Sequence, residues 1–438
     1  MIKIYNTLNK KNESIKNNII KIYTCGITVY DNCHIGHARL FLLFDSLIRY
    51  LNTSNKKIIF IRNITDIDDK IIKKAKEKNI HIKTLTEKFI KSMHDDTKKL
   101  NIIEPTYEPK ATSFIKEMIE LIKIIKKKYT YKNKQSAIYF EVNKLNNYGM
   151  LSNQKNKSIK QSYQNNKKNK NDFVLWKNFK KKEKIYWQTP WGKGRPGWHT
   201  ECAAMTMYYS KDYIDIHGGG QDLLFPHHEN ELAQCIASGK KDFIKIWMHV
   251  GQLKIEKKKM SKKLGNQILI KDLLKNYNEE YLRFLILSTN YKKSINFNYE
   301  TLKKMKITLD KLYKIKENLK NKKFNINPEI NKAFDDALQN NFNTQKAIAI
   351  LFKKLKEKND IEIKYSTIEL LKKIGLLKYE TLKIKKLNIE NIETLIAQRN
   401  EARKNKNWSL ADKIRQKLIK FNIKIKDQKD NTTIFEPD

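Results

Sequence analysis

The chain has 438 residues, 40% hydrophobic and 10% aromatic, with 90 Lys and Arg against 47 Asp and Glu. That length predicts two to three domains, and the apolar content suffices for a buried core, which excludes general disorder. The formal charge of +43 points to a polyanionic partner such as nucleic acid, although only eight of the 90 basic residues are arginine, a skew that an AT-rich genome writes on any protein.

In chain order, the first twenty residues are polar and lysine-dotted, without the apolar stretch of a signal peptide. Ile19 to Thr24 reads as a short strand, followed by a loop and a helix from about Ile35, with Phe41, Phe44, Ile48 and Leu51 on one face. Lys56 to Ile64 reads as a second buried strand and Asp69 to Lys78 as helix. Residues 84–130 look helical, and 151–171 form a polar low-complexity stretch expected as a mobile surface insertion. After a glycine- and tryptophan-rich segment from Trp187 to Trp198, Tyr213 to Ile216 and Ile244 to Val250 are candidate core strands. From Thr301 to about Leu377 the pattern is helical and lysine-rich, suggesting a separate bundle. A helix near Ser409 to Lys420 and a hairpin from Ile423 to Phe435 close the chain. The expected fold is α/β: a Rossmann-type parallel-sheet domain with an insertion, then a helical bundle and a small C-terminal α+β region. No apolar run reaches bilayer length, so no membrane partner is expected, and the reading is a soluble, cytoplasmic protein with four reduced cysteines.

The rare residues are not scattered. Ten of the 13 glycines fall in five short stretches, and seven of the nine histidines lie in or beside them. The first stretch, Cys25 to His37, joins strand to helix and contains His34-Ile-Gly-His37. Two histidines three apart at a helix N-terminus can donate to phosphate oxygens where free N–H groups already favour anions, and Gly36 leaves room for a flat base. Surface histidines at a helix cap would show the same spacing, but not the strand–loop–helix setting. Lys259-Met-Ser-Lys262-Lys263, followed by Gly265, can close ammonium groups over a triphosphate, or be a solvated charged loop. His227 and Glu231 stand four apart after Pro226 and would face one way on a helix; with Cys25 and Cys202 they make a set suited to zinc, while Cys33, His228 and Cys235 compete for the role. In His217-Gly-Gly-Gly-Gln-Asp222, three glycines after a strand let backbone approach a ligand, and Asp222 can accept from ribose hydroxyls.

Taken together, Cys25 to His37, Thr65-Asp-Ile-Asp-Asp-Lys70, Trp198-His-Thr-Glu-Cys202, His217 to Asp222, Phe225 to Glu231 and Lys259 to Lys262 occur in the order seen in class I cysteinyl-tRNA synthetases, which the sequence resembles from about Ile4 to Phe435. The resemblance implies ligation of L-cysteine to tRNA(Cys) with ATP and Mg²⁺. It implies one zinc ion on Cys25, Cys202, His227 and Glu231, contacting the substrate thiolate and so selecting cysteine over serine. It further implies that Cys25, Thr65 and Trp198 line the amino-acid pocket. His34, Gly36, His37, Asp222 and Lys262 would serve ATP, and His34, His37, Lys259 and Lys262 catalysis. The implied parts are a first catalytic half (1–100), a connective insertion (101–185), a second catalytic half with the metal ligands (186–255), a signature-loop and stem-contact region (256–300), a helical tRNA-binding bundle (301–385) and an anticodon-binding tail (386–438), acting as a monomer. Lys263 stands where the family's signature ends in serine, and Asn422, Asn431 and Phe435 where relatives commonly carry glycine, glycine and tryptophan. A ligase joining activated cysteine to a small amine would share the catalytic half but not the long basic C-terminus, and a degenerate RNA-binding module would have lost motif residues that are present here.

Overall fold

The computed structural model describes residues 1–54, 56–154, 167–180, 185–260, 264–358, 360–380, 389–420, 423–427 and 433–437. Most of the low-complexity stretch lies outside the described residues, as do Ser261, Lys262, Lys263, Asn422 and Asn431. Residues 1–270 and 280–380 form one compact unit, and residues 271–279 and 381–438 a second.

The first unit opens on a hairpin, β1 (Lys3–Asn6) and β2 (Lys11–Ser14). Strand β3 (Ile19–Thr28), helix α1 (Ile35–Leu51), strand β4 (Lys57–Thr65) and helix α2 (Asp69–Glu77) then realise the expected alternation. Helix α1 is buried around most of its circumference, in keeping with the apolar run Leu40 to Phe44. The helix expected over 84–130 is broken in two: α3 (Ile82–Lys99) and α4 (Ile115–Tyr129). Between them lie Pro105 and Pro109, which disfavour helix at and before their positions. This stretch instead runs extended along β4, where Arg62 N–H donates to the Tyr107 carbonyl at 3.0 Å and Ile64 N–H to that of Pro109 at 2.8 Å.

A five-stranded antiparallel insertion follows, from β5 (Thr130–Lys132), β6 (Ile138–Phe140), β7 (Phe173–Asn178), β8 (Trp187–Thr189) and β9 (Gly192–Pro196). Helix α5 (Trp198–Tyr209), strand β10 (Ile214–Gly220), helix α6 (Glu229–Ala237) and strand β11 (Ile244–Val250) complete the central layer. The parallel sheet has the order β11-β10-β3-β4. Strands β3, β4 and β11 are rich in apolar residues and mostly buried, as expected of parallel strands covered on both faces. Chain progress runs outward from β3 to β4 on one side and from β10 to β11 on the other. The order therefore reverses between β3 and β10, which opens a crevice at the carboxyl ends of the strands.

The strand expected over Tyr213 to Ile216 runs further: Gly218, Gly219 and Gly220, expected to follow it, are its last residues, paired with Met248, His249 and Val250. A Cβ on Gly218 would lie 2.1 Å from the Phe44 ring, so glycine is what lets α1 press onto β10.

Beyond β11, strands β12 (Leu253–Ile255) and β13 (Lys258–Lys259) form a hairpin. Helices α7 (Ile270–Asn276) and α8 (Glu279–Leu287) follow, and then β14 (Ile295–Phe297), which pairs in parallel with β12. The lysine-rich helices α9 (Tyr299–Asn318), α10 (Pro328–Gln339), α11 (Thr344–Glu357) and α12 (Ile361–Lys372) bury Leu309, Phe334, Leu351 and Leu371 among them and belong to the same compact unit as the sheet. Each opens on a side-chain cap, from Asn298, Asn327, Asn343 and Asp360. In the second unit, α13 (Ile389–Lys404) packs on α14 (Trp408–Lys420), and β15 (Ile423–Asp427) pairs antiparallel with β16 (Thr433–Pro437) where a hairpin is expected. No helix among the described residues is long and apolar enough to cross a membrane.

Candidate active site and metal centre

The crevice at the strand ends is a cleft of about 450 Å³, lined by Cys25 to Thr28 from the end of β3, Gly220 from β10 and Val250 from β11. His34, Gly36, His37, Trp198, Asp222 and Lys259 also line it, so the structure gathers most of the sequence-predicted residues around one space.

Cys25 sits where the β3–β4 register slips between Thr24 and Ile27. Such an irregularity re-aims side chains at the edge of a site. Gly26 makes it feasible: its N–H donates to Asn63 Oδ1 at 2.8 Å, and a Cβ there would lie 1.5 Å from the Asn63 carbonyl oxygen. Cys202 comes from the second turn of α5, and Glu231 from the first turn of α6. His227 is not on regular helix, as the i, i+4 spacing suggests, but in the irregular turn Leu224–His228 that precedes α6; its Nε2 nevertheless lies 3.0 Å from Glu231 Oε1.

The ligand atoms of Cys25, Cys202, His227 and Glu231 all lie within 4.8 Å of one another, and all four residues are buried. Cys25, His217, His228 and Glu231 meet the same description. Cys25 Sγ donates to Cys202 Sγ at 3.8 Å and lies 3.3 Å from His228 Nε2. Of the competing candidates, His228 therefore belongs to the cluster, whereas Cys33 and Cys235 are in neither grouping and are plainly buried. Burial pushes the Cys25 thiol up, as does the neighbouring Cys202, and the Cys25 hydrogen bond holds Cys202 below its ordinary value. Burial also raises the Glu231 carboxyl and lowers the His217 and His228 imidazoles. Glu231 Oε2 lies 3.3 Å from His217 Nε2 but makes no well-aligned hydrogen bond among the described residues. Two thiols, an imidazole and a carboxylate packed this tightly out of water are costly without a cation among them. The donor set is compatible with a metal ion.

Around the cluster runs a second tier, in which Thr7, His199 and His249 join His228 and Trp198 without a role assigned to them from the sequence. His228 Nδ1 lies 2.8 Å from His249 Nε2, and His249 Nδ1 lies 2.8 Å from Thr7 Oγ1. The Trp198 ring stacks on His227 with centroids 4.2 Å apart, and His199 Nδ1 lies 3.0 Å from His227 Nδ1. Thr65, expected in the amino-acid pocket, is buried on β4 beside Thr28, its carbonyl accepting from Val29 N–H at 3.1 Å; it is not among the residues lining the cleft.

On the opposite side, His34 and His37 stack with ring centroids 3.8 Å apart, and His34 N–H donates to His37 Nδ1 at 3.2 Å. Burial lowers both, His37 to about 3, so at neutral pH they are uncharged imidazoles. His34 Nδ1 is buried and without a partner among the described residues. A Cβ on Gly36 would lie 2.9 Å from that ring and from Met260 Cε, so any larger residue would have to push one of these side chains aside. Lys259 Nζ lies 3.5 Å from Asp222 Oδ2, with side chains 61% and 48% exposed. Lys262 is outside the described residues.

Residues 11–307 match the family model described as the class I (C) tRNA synthetase catalytic domain, and residues 390–434 match the cysteinyl-tRNA ligase anticodon-binding domain. The chain belongs to the cysteinyl-tRNA ligase family. It is 39% identical to the cysteine–tRNA ligase of Coxiella burnetii (strain RSA 493), over 99% of both chains. It is 42% identical to that of Blochmanniella pennsylvanica, over 98% of both. Its fold is also similar to that of Mycobacterium tuberculosis methionyl-tRNA synthetase in complex with methionyl-adenylate, with a TM-score of 0.58 at 11% identity, covering 81% of this chain and 89% of that one. The class I fold and the ligase assignment expected from the motifs thus stand on both family models.

Proposed function

We propose that the chain activates L-cysteine with ATP and Mg²⁺ to cysteinyl-adenylate and transfers the cysteinyl group to tRNA(Cys), acting as a cytoplasmic monomer. In the first step a carboxylate oxygen of cysteine attacks the α-phosphorus of ATP and pyrophosphate leaves. In the second, a terminal ribose hydroxyl of the tRNA attacks the activated carbonyl and AMP leaves. The observation that carries this reading is the buried cluster of Cys25, Cys202, His227 and Glu231 at the carboxyl end of β3, opening on the same cleft as the histidine pair.

We assign Cys25, Cys202, His227 and Glu231 as ligands of one zinc ion, which when bound supplies a soft acceptor for the substrate thiolate and a poor one for a serine hydroxyl. Trp198 holds His227 by stacking and walls the amino-acid side of the cleft. Thr65 acts on this pocket from behind, through the backbone it fixes beside Val29. His34 and His37, held neutral, donate hydrogen bonds to phosphate oxygens rather than carrying charge. The positive charge comes from Lys259 and Lys262, which neutralise the departing pyrophosphate. Gly36 leaves room for the adenine plane, and Asp222 accepts from the ribose hydroxyls. The helices over 301–385 and the tail over 386–438 take the tRNA stem and anticodon; the match of residues 390–434 to an anticodon-binding domain favours tRNA over a small-amine acceptor.

The test is transfer of labelled cysteine to total tRNA by metal-loaded protein, against a serine control. Cysteine-selective charging is expected. Adenylate formation without charging would favour a small-amine acceptor, and no activation at all would overturn the reading.

A further inference from the structure

Arg39 lies five residues after His34 on α1, is buried, and lines the cleft. Burial lowers its guanidinium to about 10, which still leaves it cationic at neutral pH. Its hydrogen bonds go to backbone carbonyls: Nη1 donates to Gln252 at 2.7 Å, and Nη2 to Tyr291 at 3.3 Å and to Lys293. Those carbonyls belong to two crossing segments that are themselves joined. Gly251 N–H donates to the Tyr291 carbonyl at 2.8 Å, and Ile295 N–H to that of Gln252 at 2.9 Å. A Cβ on Gly251 would lie 2.4 Å from the Lys293 oxygen. From this junction spring β12 and β14, and through β12 the strand β13 that ends in Lys259. The segment returns to the same helix start: Ile35 N–H donates to the Ile268 carbonyl and Ile270 N–H to that of Cys33, both at 3.0 Å.

We propose that Arg39 is a positioning residue that sets the height of the strand pair bearing Lys259 above the His34–His37 pair, and so governs adenylate formation without touching substrate. The planar fork suits this task, since two nitrogens reach three carbonyls in a fixed geometry that a single ammonium does not reproduce. The inference rests on the ligase reading, and its test separates the two.

In Arg39→Lys, and independently in Gly251→Ala, which forces the same junction apart from its other side, the maximal rate of cysteine-dependent ATP–pyrophosphate exchange should fall by about 100-fold, the scale of a misplacement near 1 Å. The KM for cysteine, the KM for ATP and the metal content should stay at wild-type values. Trypsin should cut folded variant protein faster than wild type after Lys257, Lys258 or Lys259. Wild-type exchange and cleavage rates in both variants would overturn the proposal. So would a raised ATP KM, which marks direct phosphate binding, or a joint loss of metal and cysteine affinity, which marks general damage. If wild-type protein shows no exchange while the variants are cut faster, the clamp stands and the ligase reading falls.

Discussion

The two sides of the cleft are built on opposite principles. The thiol side is dry: Cys25, Cys202, His227 and Glu231 are all buried, and partners such as His199, His249 and Trp198 hold the imidazoles around them. The phosphate side is half wet: Lys259 and Asp222 form an ion pair that leaves both side chains about half exposed. On the proposed roles, discriminating a thiolate from a hydroxyl would rest on a few short contacts that must not shift, whereas neutralising pyrophosphate would need charges that can follow a leaving group. Burial serves the first task and exposure the second.

The largest way to break that contrast is Cys202→Ser. If these four are the ligands of one ion, removing one donor leaves the others without it, so metal content and cysteine activation should fall together, activation by about 100-fold, the upper end of the scale for outer-shell disruption of metal sites. Elemental analysis beside exchange kinetics checks this, and unchanged metal would remove Cys202 from the ligand set. On the wet side, Lys259→Ala should slow adenylate formation by about 100-fold, as for loss of one preorganised charge donor, with metal content untouched, and the role proposed for Lys262 predicts the same of Lys262→Ala. A variant that lost metal as well would mean that the two sides are one unit.

The same contrast explains what the sequence made legible. Strands β3 and β4 and helix α1 are readable because buried parallel strands are continuous apolar runs and α1 carries its 3.6-residue spacing. The insertion sheet is not, since β5, β6 and β8 are three residues long and hold less than two periods of alternation. Around the site, residues at helix starts are legible from spacing: His34, His37 and Glu231. His217 reaches the cluster through the parallel pairing of β10 with β3, across more than 180 residues, and His249 through that of β10 with β11, contacts that no local pattern carries. The glycines at 218–220 read as backbone made bare for a ligand; inside the fold, Gly218 and Gly219 also answer to the closeness of Phe44 and His228, which no local pattern carries.

A finer cut through the dry side is His199→Gln, which removes the ring nitrogen 3.0 Å from His227 Nδ1 without removing a proposed ligand. Loss of an orienting partner of this kind costs about 10-fold in metal affinity. Competition with a chelator should show that loss, while pyrophosphate release with saturating metal stays near wild type. Equal losses in both would show that the second tier reaches across the cleft.

The smallest effect belongs to the Lys259–Asp222 pair. With both groups about half exposed, Asp222→Asn should change folding stability by less than about 1 kcal/mol, the usual worth of a solvent-screened pair. The change should vanish in added salt, because exposed charges are screened within about 10 Å at 0.1 M ionic strength. Activity is the sharper reading: if Asp222 holds ribose, the ATP KM rises in Asp222→Asn at any salt concentration, whereas if it serves only to park Lys259, the KM effect fades with salt as the ion pair does. Measuring ATP KM for wild type and variant across a salt series separates a ligand of the nucleotide from a counter-ion of the lysine.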